Sequence, residues 1–124
     1  GTDFYPTILE LAGLTKKENN PLDGLSLIPH ITQKRTLDRD FITWFMPHYI
    51  KAGEGMDPCA TIRYKNYKYV HFFDGRTALY NLVDDIGESK NMASANPELC
   101  SKLKAMLMKD LNTKNAYFPK GSKL

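Results

Sequence analysis

Between residues 3 and 13 the apolar positions recur at helical spacing. Ile8, Leu9, Leu11 and Ala12 form a stripe in "DFYPTILELAG", with Asp3 as a cap, Pro6 in the first turn and Gly13 at the end. A short helix over about 4–12 is predicted. The next stretch, "TKKENNPLDG", gathers charge, Asn, Pro and Gly and reads as an exposed loop. "LSLIPHI" then offers a helical turn whose length Pro29 limits.

From Phe41 the pattern changes to β-branched and aromatic residues. "FITWFM", ending at Pro47, predicts a buried strand. The two glycines and the proline of "IKAGEGMDP" (50–58) predict a mobile loop. "ATIRYKNYKYVHFFDGRTALYNL" offers three strand-like runs parted by "KN" and "DG". Asp74-Gly75 is read as the stronger two-residue hairpin turn, because Gly accepts the positive φ such a loop needs.

The last segment is helical, with Asn96 as cap, Pro97 in the first position and Glu98 near the positive end. Leu99, Cys100, Leu103, Met106, Leu107 and Leu111 recur along one face, and Lys102, Lys104 and Lys109 fall on the other. The predicted fold is α+β: a four-stranded antiparallel sheet packed by one long C-terminal helix, plus a short N-terminal helix. A single domain over 1–124 is expected, with a linker and helix in 1–36 and the sheet and helix in 37–118.

Composition narrows the picture without supplying chemistry. At 124 residues, the chain suits one domain burying roughly two-thirds of its unfolded surface. With 42% hydrophobic and 25% charged residues, disordered, collagenous and membrane classes fit poorly. No apolar run approaches the roughly 18 residues of a spanning helix, and no signal peptide is evident. The start at "GTDFYP" reads as a piece of something longer. A net charge of +3 is too mild to imply a nucleic-acid partner. Cys59 and Cys100 allow one disulfide but no four-ligand zinc site.

Four groups of residues invite a chemical reading. Asp84, Asp85 and Glu88, followed by Asn91, miss the ligand spacing of a calcium loop. They read instead as a turn in which Asp side chains accept backbone N–H groups, Gly87 is left-handed and Asn91 starts a helical turn. Cys59 and Arg63 have nucleophile-and-arginine spacing, but on a strand rather than at a helix N-terminus. In "KNYKYVHF", Tyr67, Val70 and Phe72 follow an RNA-recognition strand, while Asn66 and Lys68 stand where small residues belong. His30, His48 and His71 fall in separate elements, and the residues leave His48 open between a ligand contact and a structural role, since "MPHYI" runs from a strand into the Gly-rich loop.

Taken in order, several segments resemble the C-terminal part of a formylglycine-dependent sulfatase of the alkaline-phosphatase-like superfamily. "DFYPTILELAGL" is similar to that family's D-x-x-P-T-[IL]-L-[DE]-L-A-G helix, and "LDGLSLIP" to its DG-x-S-L-x-P turn. "FITWFMPHY" resembles the entry into the C-terminal sheet, "IRYKNYKYV" resembles x-R-x-x-x-Y-K-[LY]-[IV], and "ALYNLVDDIGESKNMA" resembles E-L-Y-D-L-x-x-D-P-x-E-x-x-N-L-A. Departures are Asn81 for Asp, Ile86 for Pro and Met92 for Leu. Cys59 and Arg63 echo the nucleophile motif, yet Thr61 stands where its proline belongs.

The resemblance implies a non-catalytic piece of a sulfate ester hydrolase acting on a sulfated glycan or aryl sulfate. It implies no cofactor in this segment, with Ca2+ and formylglycine held by a missing N-terminal catalytic domain of the same chain. It also implies exposed apolar residues such as Phe4, Ile8 and Leu11, and a periplasmic or secreted parent with neither nucleic-acid partner nor membrane span. Implied substrate contacts are His48 to a hydroxyl and Lys51 to a second anionic group, with Arg63 on the substrate or in a domain interface. Two alternatives remain: a related phosphoesterase or phosphonate hydrolase subdomain, and an independent module binding RNA or glycan.

Overall fold

The computed structural model describes residues 1–14, 22–48 and 57–124. The chain divides into two compact units, Gly1–Arg39 and Asp40–Leu124.

In the first unit, helix α1 spans Phe4–Leu11 and helix α2 spans Ile28–Gln33. Asp3 precedes α1 as expected, but its side chain does not cap the helix. The carboxylate instead accepts the Leu25 backbone N–H at 2.9 Å and a two-pronged bond from the Arg39 guanidinium. Thr7 plays a parallel part, its hydroxyl donating to the Asp3 carbonyl at 2.6 Å and accepting from Leu27 N–H at 3.0 Å. Together they clip the segment around Gly24 to the start of α1. A Cβ on Gly24 would lie 2.1 Å from the Thr2 carbonyl oxygen, so only glycine fits that approach. Pro29 sits at the start of α2, where its missing N–H costs nothing, and so it opens the helix rather than limiting it. Phe4, Ile8 and Leu11 are 66%, 61% and 70% exposed, so α1 buries little beyond Thr7.

The second unit holds strands β1 (Phe41–Met46), β2 (Cys59–Tyr64), β3 (Tyr67–Phe72) and β4 (Thr77–Asn81), then helix α3 (Pro97–Thr113). The strands form one antiparallel sheet in sequence order, as predicted. Alternation sends Phe45, Ala60, Ile62, Tyr69 and Leu79 toward α3, where they pack with Leu103, Leu107 and Leu111. Ile42, Trp44, Met46, Cys59, Thr61, Arg63, Lys68, Val70 and Phe72 take the opposite face by the same alternation.

The two-residue loop falls at Lys65-Asn66, and Asp74-Gly75, read as the stronger two-residue turn, belongs to a longer loop. Tyr64 pairs with Tyr67, so Lys65-Asn66 is the two-residue loop, and Lys65 itself carries φ +52. At "DG", Phe72 N–H donates to the Arg76 carbonyl and Gly75 N–H to the Phe72 carbonyl, which makes a three-residue loop with Gly75 at φ +100. Phe73 is thereby turned onto the helix side and is 6% exposed. Asn96 begins α3 without a side-chain cap; its amide donates back to the Met92 carbonyl at 2.9 Å.

The "DDIGESKN" segment is a turn, with two changes of detail. The left-handed residue is Glu88, at φ +54, rather than Gly87. Asn91 starts no helix: its Oδ1 accepts from Leu79 N–H at 3.1 Å and Ala93 N–H at 3.0 Å, and its Nδ2 donates to the Thr77 carbonyl at 3.1 Å. One side chain thus acts as a short fifth strand on the outer edge of β4. Asn91→Ala is expected to cost about 1–3 kcal/mol, because the N–H of buried Leu79 loses its partner, with a smaller part from the exposed Thr77 carbonyl. Urea denaturation of the variant measures this, and a loss below about 0.5 kcal/mol would show that water replaces the amide.

Candidate functional site at the end of the sheet

Of the three residues proposed as substrate contacts, the structure places two and parts them. His48 follows β1 and Pro47 and lines a cleft of about 420 Å³ with Asp57, Pro58, Phe73, Asp74, Pro119, Lys120 and Ser122. Arg63 lies on the other face of β2 from α3, four residues from Cys59, and so is about 13 Å along the strand from the His48 end. It shares no cleft with His48. Lys51, with most of the loop over 50–58, lies outside the described residues.

The cleft walls owe their place to the sheet and to the chain after α3. Asp57 and Asp74, on facing walls, are joined by Arg76, which pairs with both and lies 4.7 Å over the Phe72 ring. Asp74 is held below the usual carboxylate range by the Arg76 backbone N–H and then by its side chain. Past α3, Phe118 packs edge-on against Phe45 and Phe73, with ring centroids 5.4 and 5.8 Å away. The tail is then pinned twice at Lys123, whose N–H donates to the Phe73 carbonyl at 3.0 Å and whose carbonyl accepts from His71 Nε2 at 2.7 Å. His71 is 2% exposed, and burial lowers its pKa, favouring the neutral ring. With Nε2 donating to Lys123, Nδ1 is left to face the Tyr69 hydroxyl at 3.5 Å.

The other sequence candidates resolve as structure. Asp85 accepts from Ser89 and Lys90 N–H, Glu88 binds Lys68 Nζ at 2.6 Å, and Asp84 accepts from the Asn81 amide. Among the described residues no group of His, Cys, Asp and Glu is placed to hold a metal ion. Burial pushes the Cys59 thiol up, which disfavours the thiolate a nucleophile needs. Cys100 faces α3's packing side and contacts the Ala93 carbonyl, so the two free thiols lie on opposite faces of the sheet. Tyr67 and Tyr69 face α3, and Tyr69 is 1% exposed, so the aromatics of "KNYKYVHF" are not displayed together for base stacking.

Residues 1–116 match the family described as N-sulphoglucosamine sulphohydrolase, C-terminal. The chain belongs to this family. A sulfatase of Formosa agariphila is 30% identical over 127 aligned positions, covering 87% of this chain and 23% of that protein. Arylsulfatase K of Bos taurus is 30% identical over 116, covering 89% of this chain and 21% of its own length. Among solved structures, a 2-O GAG sulfatase superposes with a TM-score of 0.76 at 22% identity, over 92% of this chain and 25% of the other. That likeness shows the fold. Phosphonate monoester hydrolase of Agrobacterium radiobacter reaches a TM-score of 0.67 at 26% identity, over 90% of this chain and 24% of its own. This sulfatase C-terminal subdomain therefore spans about a fifth to a quarter of the proteins it matches.

Sequence reasoning passed over the tail, although "YFPKGSKL" holds an aromatic with Pro and Gly beyond the helix, a sign of a chain turning back. It also assigned no part to His71 or Arg76, whose partners become neighbours only through the fold. Residues 117–124 lie beyond the family match.

Proposed function

We propose that this chain is the C-terminal, non-catalytic part of a sulfuric ester hydrolase, and that its full chain cleaves sulfate esters of a glycan or aryl compound. The observation that carries the reading is the family match over residues 1–116. The calcium and formylglycine of such an enzyme belong to the N-terminal catalytic part of the longer chain. Supporting this division, Asp84, Asp85 and Glu88 are each engaged by a neighbouring side chain or backbone group. Cys59 sits on a strand with a raised pKa and Thr61 in place of proline. Neither group fits these residues. The apolar surface left open on each unit, Phe4, Ile8 and Leu11 on α1 and Ile42 and Trp44 on the sheet, faces that catalytic part.

In this reading His48 hydrogen-bonds a substrate hydroxyl, Lys51 attracts an anionic group and Arg63 serves the domain interface or the substrate. The parent enzyme is periplasmic or secreted, an assignment that rests on the family resemblance and that cell fractionation tests. A phosphonate or phosphate ester hydrolase is the second reading, favoured by the likeness to phosphonate monoester hydrolase. The full-length protein, assayed on an aryl sulfate and on an aryl phosphonate monoester, is expected to turn over the sulfate faster. The reverse preference would establish the second reading. His48→Ala should lower kcat/KM on a sulfated sugar about tenfold, the worth of one lost hydrogen bond. An unchanged kcat/KM would remove His48 from the pocket.

A further inference from the structure

We infer that the tail over 119–124 is an acid-released strap: the neutral ring of His71 latches it shut as one wall of the His48 cleft, and a proton on that ring lets it go. The inference stands apart from the reaction assigned to the parent enzyme.

The strap is lightly held. Beyond Phe118 it buries little, with Lys120, Gly121, Lys123 and Leu124 all exposed. Ser122 folds it back on itself, its N–H and hydroxyl donating to the Pro119 carbonyl at 3.2 and 2.7 Å. Among the described residues its backbone is tied to the sheet twice, both times at Lys123, once to the Phe73 carbonyl and once from His71 Nε2. A segment so sparsely tied lies at the low end of local stability.

His71 is 2% exposed, and exposed Lys123 is the outer layer over its Nε2. A second proton, on Nδ1, would meet the Tyr69 hydroxyl at 3.5 Å, a long reach for a hydrogen bond. Aromatic rings stand around it, Tyr69 stacked at 6.5 Å and Phe73 edge-on at 6.3 Å. Burial is the largest influence on its protonation and opposes the cation; the bond to the Lys123 carbonyl, which charge would strengthen, works the other way and is outweighed. Lys104 of α3 adds to the opposition, and Asp74, already paired with Arg76, subtracts from it. The Lys123 ammonium acts on Asp74, and Ala60 and Thr77, the ring's neighbours on β2 and β4, carry no charge. Tyr69 and Cys100 stay neutral, burial pushing both up. The latched ring therefore titrates below the 6.5 of a free imidazole. Its hold is complete above 6.5 and is lost as pH falls from there toward the latched value, the opening equilibrium rising by up to about tenfold per pH unit.

The test is amide exchange of the full-length protein, read by mass spectrometry from about pH 7.5 to about 5 and corrected for intrinsic exchange. A peptide covering 117–124 should lose protection by up to about tenfold per unit below pH 6.5, while one covering Leu103–Leu111 of α3 holds constant. His71→Gln can still donate to the Lys123 carbonyl but does not titrate, and its tail should show no such loss. His30 and His48 are intact in that variant, so a loss that survives in it would overturn the latch. A flat tail in the wild type would do the same, as would imidazole nitrogen shifts giving His71 the Nδ1–H tautomer or a midpoint at or above 6.5. Should His71→Gln not fold, the wild type decides alone: the rise in tail exchange must level off at the pH where the His71 ring titrates, and a rise that continues past that pH ends the proposal.

Discussion

Leu107→Ala is expected to remove about 3 kcal/mol of folding stability, within the roughly 2–5 kcal/mol range for emptying a buried leucine site. Leu107 is fully buried in the middle of α3, between Leu103 and Leu111 and against Ile62, Tyr69 and Leu79. Those strand residues come from β2, β3 and β4, which are pinned to one another by backbone bonds and cannot move independently to fill the void. Alanine is the better helix former, so the measured loss understates the cavity term slightly. Leu107→Met keeps the volume and should cost less than about 1.5 kcal/mol. Urea denaturation followed by circular dichroism gives both values. A loss under 1 kcal/mol for the alanine variant would mean that α3 settles onto the sheet without this contact. The consequence reaches the cleft, because the tail that carries Lys120 begins where α3 ends.

How much of this could be read from the sequence depended on the range of the forces involved. The leucine spacing of "LCSKLKAMLMKDL" is a property of a face, and that face met the core it predicted. "FITWFM", read as a buried strand, is instead the edge strand β1, with no residue buried and with Ile42 and Trp44 exposed on the face away from α3. Turn type and capping depend on what lies across the fold. Phe73 enters the core beside Phe45 and Phe118, and that packing lengthens the "DG" loop to three residues and leaves the two-residue loop to Lys65-Asn66. Asn91 looked like a local helix start, yet the edge of β4 had open backbone groups that its amide could reach. Asn96 likewise had a partner behind it, the Met92 carbonyl, rather than ahead.

The site was less legible than the fold for the same reason. His48 could be singled out because it follows a strand and precedes a glycine-rich segment, a purely local signal. Its cleft neighbours come from four separated stretches, 47–48, 57–58, 73–74 and 119–122. No spacing rule connects them. Arg63 shows the converse: the motif places it near Cys59 in sequence, while extension of the strand carries it away from the cleft.

A second large effect is expected in acid, in the first unit. The Arg39 guanidinium, followed by the Leu25 N–H, lowers the Asp3 pKa from 3.8 to about 2. A carboxyl whose folded pKa lies below its unfolded one adds stability that is fully present above the unfolded value and is lost as pH falls toward the folded one. The window is therefore pH 4 to 2, and the lowering from 3.8 to about 2 corresponds to an upper figure of about 2.5 kcal/mol, reduced by the partial exposure of the pair. Its side chains are 16% and 23% exposed, for Arg39 and Asp3 respectively, so part of that figure should survive screening. The readout is exchange of the Leu25 amide, which Asp3 accepts directly. Protection should hold from pH 7 to about 4, after correction for intrinsic exchange, and then fall. Asp3→Asn should lose most of that protection already at pH 7, because the amide cannot accept both prongs of Arg39, and should show no further step below pH 4. A carboxyl-carbon titration of Asp3 with its midpoint near 3.8 would instead mean that Arg39 leaves the carboxylate in solution, and that the clip around Gly24 is held by Thr7 alone.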